Sequence, residues 1–263
     1  MAEYEPLWTI PGESSELEEE KIIFPKFKPL PFRVKEAINI LRGNIQLSGY
    51  DIKLVSVTSA VPDEGKSSVS FHLADSFASL GKKTLFVDCD IRKSVIRERY
   101  KITGNFDGLT EFLVGKCAIP DIVMQTDVKT LDVIMTGAMS PNPSELISGE
   151  RFQMLCQWCR QKYDYVIMDT PPVNTVIDGT MISKCCDGTV LVVVSGQTER
   201  NQALKAKRQL EYADVRILGV VANKVGAQKN GYGYGYGYGY GYYSKYDKYE
   251  EEEPGEHEHG RHR

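Results

Sequence analysis

The sequence predicts an α/β fold in which a mostly parallel central sheet carries helices on both faces. One observation is a series of short, near-continuous Val/Ile/Leu runs, which are typical of strands buried on both sides. Another is that segments with helical spacing of apolar residues separate these runs. The chain also has 263 residues, 41% of them hydrophobic, which is enough for one substantial core.

The N-terminal part is predicted to form a lead-in and one added helix. Residues 1–31 are acidic and marked by prolines, so we expect an extended or mobile segment. Apolar residues recur at helical spacing over 33–47, ahead of the first strand. This helix is an addition to the core fold; it either packs on the domain or forms an oligomer contact. The folded domain is predicted to cover residues 32–228.

The remaining elements follow from apolar runs and helix signals in chain order. Near-continuous apolar runs predict six strands, at 54–58, 83–90, 131–136, 164–169, 188–194 and 215–222. Helical spacing predicts helices at 69–80, at 108–115 and from Ser144, as N-cap, to Tyr163. Because ligands lie beyond the carboxyl ends of parallel strands, the polar residues at those ends are the candidate site.

The strongest functional signal is the loop between the first strand and the next helix, residues 59–68. It reads Ser-Ala-Val-Pro-Asp-Glu-Gly-Lys-Ser-Ser. A strand, a loop ending in Gly-Lys-Ser and a helix N-terminus together form a cradle for nucleotide phosphates, although a surface loop can contain the same residues. Ala60 stands where glycine is usual and is tolerated if its φ is negative. The predicted ATP-binding residues are Asp63, Glu64, Gly65, Lys66, Ser67, Ser68 and, after the last strand, Asn223.

Carboxylates follow two further strands at the same predicted edge. Asp88 and Asp90 end the second strand on the same side of the chain, and Asp169 ends a buried strand. Asp169 fits the Walker B role, although an aspartate at a strand end can also be a turn or cap residue. Ser67 and these carboxylates predict a Mg²⁺ site, and one carboxylate is left over as a base for an attacking hydroxyl.

The last 35 residues, 229–263, differ in composition from the rest of the chain. From residue 231 the sequence reads Gly-Tyr six times, and an acidic stretch follows. Alternating glycine leaves one face of a strand with nothing to pack, so we expect a disordered tail with accessible hydroxyls. A phase-separating segment and a nucleic-acid contact are alternatives, and the net acidic charge disfavours nucleic acid. The candidate phosphate acceptors are Tyr232, Tyr234, Tyr236, Tyr238, Tyr240, Tyr242, Tyr243, Tyr246 and Tyr249.

Charge and composition set outer limits on function. The net charge of −4 combines acidic ends with a basic body of about +5 over residues 21–228, which fits a nucleotide and acidic tails. No apolar run is long enough to cross a bilayer. The six scattered cysteines are expected to be reduced thiols. The Cys156-x-x-Cys159 spacing and the terminal histidines have redox or metal alternatives that we consider weak.

Five segments together resemble the bacterial tyrosine kinases of polysaccharide export. They are Pro-Asp-Glu-Gly-Lys-Ser-Ser at 62–68, Val-Asp-Cys-Asp-Ile-Arg at 87–92, Asn-Pro-Ser-Glu-Leu at 142–146, Asp-Thr-Pro-Pro at 169–172 and the tyrosine-rich tail. The resemblance is to the form found as a separate cytoplasmic chain in Gram-positive bacteria. It covers about residues 33–228 and the tail.

The resemblance implies a P-loop NTPase-like fold. It also implies an enzyme that uses ATP and Mg²⁺ to phosphorylate the tyrosines of the C-terminal tail. The expected acceptor is the tail of a neighbouring copy of the same chain. It makes Lys66, Asp88 and Asp90 catalytic, with Asp88 as the base. Asp90 joins Ser67 and Asp169 at Mg²⁺. The segment from Glu36 to Arg42 resembles the family's oligomerisation helix, although Asn39 replaces its middle arginine.

Partners and location are also implied by the resemblance. They are further copies of the chain, in a ring or another oligomer, a transmembrane activator of the polysaccharide co-polymerase type, a cognate tyrosine phosphatase and other protein substrates. The kinase would be cytoplasmic and recruited to the inner face of the plasma membrane. The alternative is a partitioning-type or carrier ATPase of the same fold without kinase activity; partitioning ATPases carry a lysine where this chain has Val61.

Overall fold

A computed structural model describes residues 30–99, 102 and 106–225. The predicted lead-in and the tail tyrosines lie outside the described residues. The strands are β1 Leu54–Ser59, β2 Thr84–Asp88, β3 Met124–Gln125, β4 Leu131–Ile134, β5 Tyr165–Asp169, β6 Gly188–Val194 and β7 Ile217–Asn223. The α-helices are α1 Phe32–Leu47, α2 Lys66–Ala78, α3 Ile96–Arg99, α4 Leu109–Leu113, α5 Pro143–Ser148, α6 Glu150–Lys162, α7 Asp178–Lys184 and α8 Arg200–Tyr212, with a 3₁₀ turn at Ile119–Ile122.

The strands form one seven-stranded sheet in the order β3-β4-β2-β5-β1-β6-β7. Every neighbouring pair is parallel except β3 and β4. The strand that leads into the phosphate loop, β1, is therefore central, with β5 and β2 on one side and β6 and β7 on the other. The carboxyl ends of these five strands meet at one edge, as predicted.

Alternation along the strands sends side chains into a separate core on each face of the sheet. Val55 of β1 and Phe86 of β2 join the core under α1 and α2. Leu54 and Leu85, each one residue earlier, join the core under α4, α6 and α7. A third, smaller cluster lies beneath α8. Burial on both faces explains why the central strands read as unbroken apolar runs; the edge strand β7 reads the same way but is only partly buried.

The structure corrects two predictions. Ser144 does not cap a single helix that runs to Tyr163. Instead, α5 begins after Asn142, and α5 and α6 are separated at Gly149, whose extended backbone breaks the helix. The short antiparallel edge strand β3 was also missed, because two residues are too few to show a periodic pattern. Among the described residues, no helix is both long and apolar enough to span a membrane.

Candidate functional site

The loop after β1 has the conformation of a phosphate cradle. Asp63 and Gly65 have left-handed backbone, with φ of 63° and 84°, and α2 begins directly at Lys66. A Cβ at Gly65 would lie 2.3 Å from Asn223 Nδ2, so both the φ angle and the space require glycine. Ala60 is not among the positive-φ residues, which confirms that alanine is compatible with this loop.

Contacts from β6 and β7 hold the loop in shape. Asn223 Nδ2 donates to the Glu64 carbonyl at 2.9 Å, and Lys224 Nζ donates to the Asp63 carbonyl at 2.8 Å. The Glu64 carboxylate accepts from the Val61 amide at 3.0 Å and from the Thr198 hydroxyl. Glu64 is 3% exposed, so its carboxylate is part of the loop's internal support.

On the other side of the loop, Lys66 lies among carboxylates. Its Nζ is 3.4 Å from Asp169 Oδ2 and 3.6 Å from Asp90 Oδ2. Burial acts to lower the pKa of Lys66, but Asp169, Asp90 and Asp88 outweigh it and raise the pKa, so the lysine is a cation. Ser70 supports Asp169 by a hydroxyl that lies 3.0 Å from Oδ1.

Asp88 and Asp90 occupy different positions. Asp88 is fully buried and accepts from the Ser94 hydroxyl and, at 3.2 Å, from the Asp90 amide. Burial and the nearby Asp169 charge raise the pKa of Asp88 to about 7. Asp90 lines a cavity of about 190 Å³ beside the loop, whereas Asp88 is not among its lining residues.

That cavity gathers part of the predicted ATP-binding set. Asp63, Gly65, Lys66 and Ser67 line it; Glu64, Ser68 and Asn223 do not. Asn223 instead contacts the loop from the β7 side, through the bond to Glu64 described above. The rest of the cavity wall comes from the loops after β2 and β5: Arg92, Lys93, Val95, Pro171, Pro172, Thr175 and Val176, with Pro62.

The charges at this site favour a divalent cation, although Asp88, Asp90 and Asp169 do not converge as a three-carboxylate metal site within the described part of the chain. One lysine faces three carboxylates, Asp88, Asp90 and Asp169, all of them buried. Such an excess of negative charge is stable when a cation shares the site. Ser67, Asp90 and Asp169 would hold Mg²⁺, directly or through water, and the loop with Lys66 suits the phosphates of a nucleotide.

Sequence reasoning missed two polar residues near the loop. Thr198, after β6, both contacts Glu64 and accepts from the Val194 amide at 2.8 Å. Asp178, the first residue of α7, is 1% exposed and holds Arg92 and Ser144. Neither lies in a motif that was recognised. For Asp178, the available signal was an aspartate at the start of a helix, which is common.

The predicted oligomer residues are linked to each other and to α2 within the chain. Asn39 Nδ2 donates to Glu36 at 2.9 Å, and Arg42 Nη1 donates to Asn39 at 3.1 Å. Arg42 also donates to the hydroxyl of Ser76 at 2.6 Å. These residues therefore dock α1 on α2. Their contacts with another copy stay a prediction.

The cysteine pair lies in the core. Cys156 and Cys159 are buried on α6, and all six cysteines are free thiols. Among the described residues, no group of three or more His, Cys, Asp or Glu side chains has a metal-binding arrangement. The weak redox and metal alternative for this pair gains no support.

A family model described as an AAA domain matches residues 63–206. The tyrosine-protein kinase CpsD of Streptococcus agalactiae is 40% identical over 193 residues, which cover 73% of this chain and 84% of that protein. The tyrosine-protein kinase YwqD of Bacillus subtilis is 39% identical over 190 residues, covering 72% and 80%.

Solved structures agree with the sequence relatives. The kinase domain of the Escherichia coli tyrosine kinase ETK is 31% identical with a TM-score of 0.71, covering 81% of this chain and 87% of that chain. The chimerical protein CapA2B2 is 33% identical with a TM-score of 0.69, covering 77% and 92%. The septum site-determining protein MinD of Pyrococcus horikoshii, at 18% identity and a TM-score of 0.58, shares the fold. From this extent and identity, the chain belongs to the bacterial tyrosine-protein kinases, in the group that contains the Gram-positive proteins CpsD and YwqD.

Proposed function

We propose that this kinase transfers the γ-phosphate of ATP to the tyrosines of the C-terminal tail, on a neighbouring copy of the chain. The observation that carries the proposal is the Lys66 cluster, where a buried lysine lies within 3.6 Å of two strand-end carboxylates beside an open cavity. Nine tyrosines between residues 232 and 249 supply hydroxyls that a packed domain does not use.

Each group has a role that its position supports. The loop amides and Lys66 hold the phosphates, and Asn223 braces the loop from the β7 side. Ser67, Asp90 and Asp169 would hold Mg²⁺, which would supply positive charge at the phosphates. Asp90 lines the cavity and donates its amide to the fully buried Asp88, so this carboxylate pair would accept the proton of the attacking phenol.

Assembly is part of the proposal. A random-coil segment of about 35 residues would have an r.m.s. reach of roughly 30 Å, which allows transfer within one chain or between chains. Oligomers formed through α1 would place tails beside neighbouring sites, with a transmembrane activator at the membrane and a phosphatase to reverse the modification. Each phosphotyrosine adds about −1.5 to −2 charges, so a fully modified tail would oppose assembly.

A mixing experiment tests transfer between copies. One partner is the full chain with the nine tail tyrosines changed to phenylalanine, and the other is the intact chain carrying Lys66→Met. With ATP and Mg²⁺, we expect phosphotyrosine on the tail of the Lys66→Met chain, which cannot modify itself. An unmodified tail in the mixture, with normal modification of the wild-type chain alone, would show that transfer occurs within one chain.

No observation in the described part of the structure specifically favours the alternative of an ATPase without kinase activity. MinD and its relative McdA share the fold with this chain at 16–20% identity, which carries no activity across. ATP hydrolysis without phosphotyrosine would support that alternative.

A further inference from the structure

Three separate elements meet at the buried carboxylate of Asp178. Arg92, in the loop after β2, donates through Nε to Oδ2 and through Nη2 to Oδ1 at 3.2 Å. Ser144, on α5, donates to Oδ1 at 2.5 Å and accepts from Arg92 Nη2 at 3.0 Å. The Asp178 side chain is 2% exposed. Because a planar guanidinium is bonded along one edge to a buried carboxylate, the direction of Arg92 is fixed.

The bonds to Asp178 and Ser144 leave one edge of the Arg92 guanidinium unused. Arg92 lines the cavity together with Lys66 and Asp90, and 38% of its side chain is exposed. Both donors that bond Asp178 and Ser144 are on the Nε–Nη2 edge, and Nη1 makes no hydrogen bond to the part of the chain that the structure describes. We call Arg92, Asp178 and Ser144 the Arg92 clamp; it holds a guanidinium with one donor nitrogen, Nη1, unused in the lining that also contains Lys66 and Asp90.

The cavity is lined at one end by the phosphate loop, through Gly65, Lys66 and Ser67. On the side of the loops after β2 and β5, its lining combines Asp90, Arg92, Lys93 and Thr175 with three apolar side chains, Val95, Pro172 and Val176, which we call the apolar wall. Asn223, which braces the loop, lies on β7 at the far side of β1, so the apolar wall is opposite the β7 contact. An aromatic ring fits an apolar wall, and its hydroxyl would then point to the charged end.

We propose that this apolar wall binds the ring of the acceptor tyrosine, and that Arg92, held by Asp178 and Ser144, contacts the phosphoryl group as it is transferred. The inference rests on the proposed kinase function and names the acceptor's binding site within it. Arg92 is a catalytic residue in this scheme, and Asp178 and Ser144 are positioning residues.

The transfer step defines what Arg92 does. The phenolic oxygen bonds to the γ-phosphorus while the bond from that phosphorus to the β–γ bridging oxygen breaks, and ADP leaves with the electron pair. The phenolic proton passes to the Asp88–Asp90 pair. Charge on the transferred group is then spread over three oxygens between donor and acceptor, where a fixed guanidinium stabilises it without rearrangement.

Arginine substitutions in the full chain with nine tail Tyr→Phe changes test this role, with a synthetic peptide of residues 229–252 as acceptor. Arg92→Gln is expected to lower kcat about 10²- to 10³-fold and to change the KM for ATP less than about threefold, because Lys66 and the loop still hold the nucleotide. Arg92→Lys keeps the positive charge but loses the planar pair of donors, so its kcat should lie between those of the parent and Arg92→Gln. A kcat within about twofold of the parent for Arg92→Gln would overturn the role.

A double-mutant cycle separates positioning from general stability. Asp178→Asn alone should lower kcat about tenfold, but it should have no further effect in a chain that already carries Arg92→Gln, since it acts through the arginine. Arg160→Gln is the matched control: Arg160 is 36% exposed and bonds Asp187 at 2.7 Å before β6, away from the cavity. It should leave kcat unchanged. Additive losses for Arg92→Gln and Asp178→Asn would contradict the clamp.

The apolar wall has its own test. Val176→Trp should fill the acceptor's place, so that peptide phosphorylation falls at least tenfold while ATP binding, measured by calorimetry, is preserved. Equal peptide phosphorylation by Val176→Trp and the parent would refute the acceptor site. If the parent itself phosphorylates no tyrosine, the proposed function fails; if the parent is active and these variants match it, only the present inference fails.

Discussion

The two sides of the phosphate loop are built from different interactions. Toward β2 and β5 the contacts are between charges: Lys66 lies within 3.6 Å of Asp90 and Asp169. Toward β6 and β7 the contacts shape the backbone, through the Asn223 amide and the Thr198 hydroxyl. The charged side places groups where phosphoryl charge develops, and the other side keeps the cradle formed. Changes on the first side should therefore act on kcat, and changes on the second on nucleotide affinity.

The largest effect is expected on the charged side, from Lys66→Met. Phosphate transfer should fall at least about 10³-fold, because the γ-phosphate loses its cation and three carboxylates are left without a lysine. Radiolabel transfer from ATP to the tail measures it. Lys82→Met, at an exposed position after α2, is the control and should keep full activity. Comparable rates for the two variants would show that the cluster is not used in transfer.

On the shape side, Gly65→Ala should weaken ADP binding by at least about tenfold. A left-handed backbone costs a non-glycine residue roughly 1–2 kcal/mol, and the new Cβ would meet Asn223 Nδ2 at 2.3 Å. Calorimetric titration gives the affinity. Measured against Asn223→Ala alone, the further loss caused by Gly65→Ala should be smaller, because the close contact with Asn223 is then absent.

The matched glycine for this test is Gly81. It has φ +74° with nothing within 4 Å of a Cβ, so Gly81→Ala should reduce stability without changing ADP affinity. If Gly65→Ala and Gly81→Ala bind ADP equally well, the loop does not form the cradle.

Thr198→Val should give a smaller effect of the same kind. Valine keeps the shape but removes the hydroxyl. The buried Glu64 carboxylate and the Val194 amide then each lose one hydrogen bond, and an unsatisfied buried group costs about 1–3 kcal/mol. We expect the KM for ATP to rise about tenfold, with kcat within about twofold. Thr130→Val, which removes a hydroxyl bond to Ala78 at 2.9 Å remote from the loop, serves as control. A loss confined to kcat would contradict the division between the two sides.

The smallest effect is expected from Ala60→Gly. This change restores the usual glycine at the start of the motif, but Ala60 is fully buried and has no positive φ. Glycine should therefore lower the free energy of unfolding by about 0.5–1 kcal/mol through the unfolded chain and leave ADP affinity unchanged. Urea denaturation provides the measurement. Tighter ADP binding would mean that the alanine strains the loop.

The central strands were predictable because burial on both faces makes each one a readable apolar run. β6 has the predicted bounds, 188–194. The same loop-and-strand logic placed Lys66, Asp90 and Asp169 at one edge. The local sequence pattern was sufficient to place a residue at the site wherever that residue lies at the end of a readable strand or in the loop that follows it.

The Arg92–Asp178 contact and the Glu64–Thr198 contact were not predictable, because each joins residues far apart in the chain. Arg92 and Asp178 are 86 positions apart, and Glu64 and Thr198 are 134 apart. Sequence placed Glu64 among the nucleotide-binding residues, whereas its carboxylate supports the loop from behind. Ser144 was assigned to a helix cap for the same reason: nothing local to it indicates Asp178.

The most direct test of the account is a phosphotyrosine map of the full chain. The protein is incubated with ATP and Mg²⁺, with and without the cytoplasmic segment of a candidate activator, and analysed by mass spectrometry. The account predicts phosphate on tyrosines between residues 232 and 249, and none on the Lys66→Met chain incubated alone. ATP hydrolysis with an unmodified tail under every condition would contradict it.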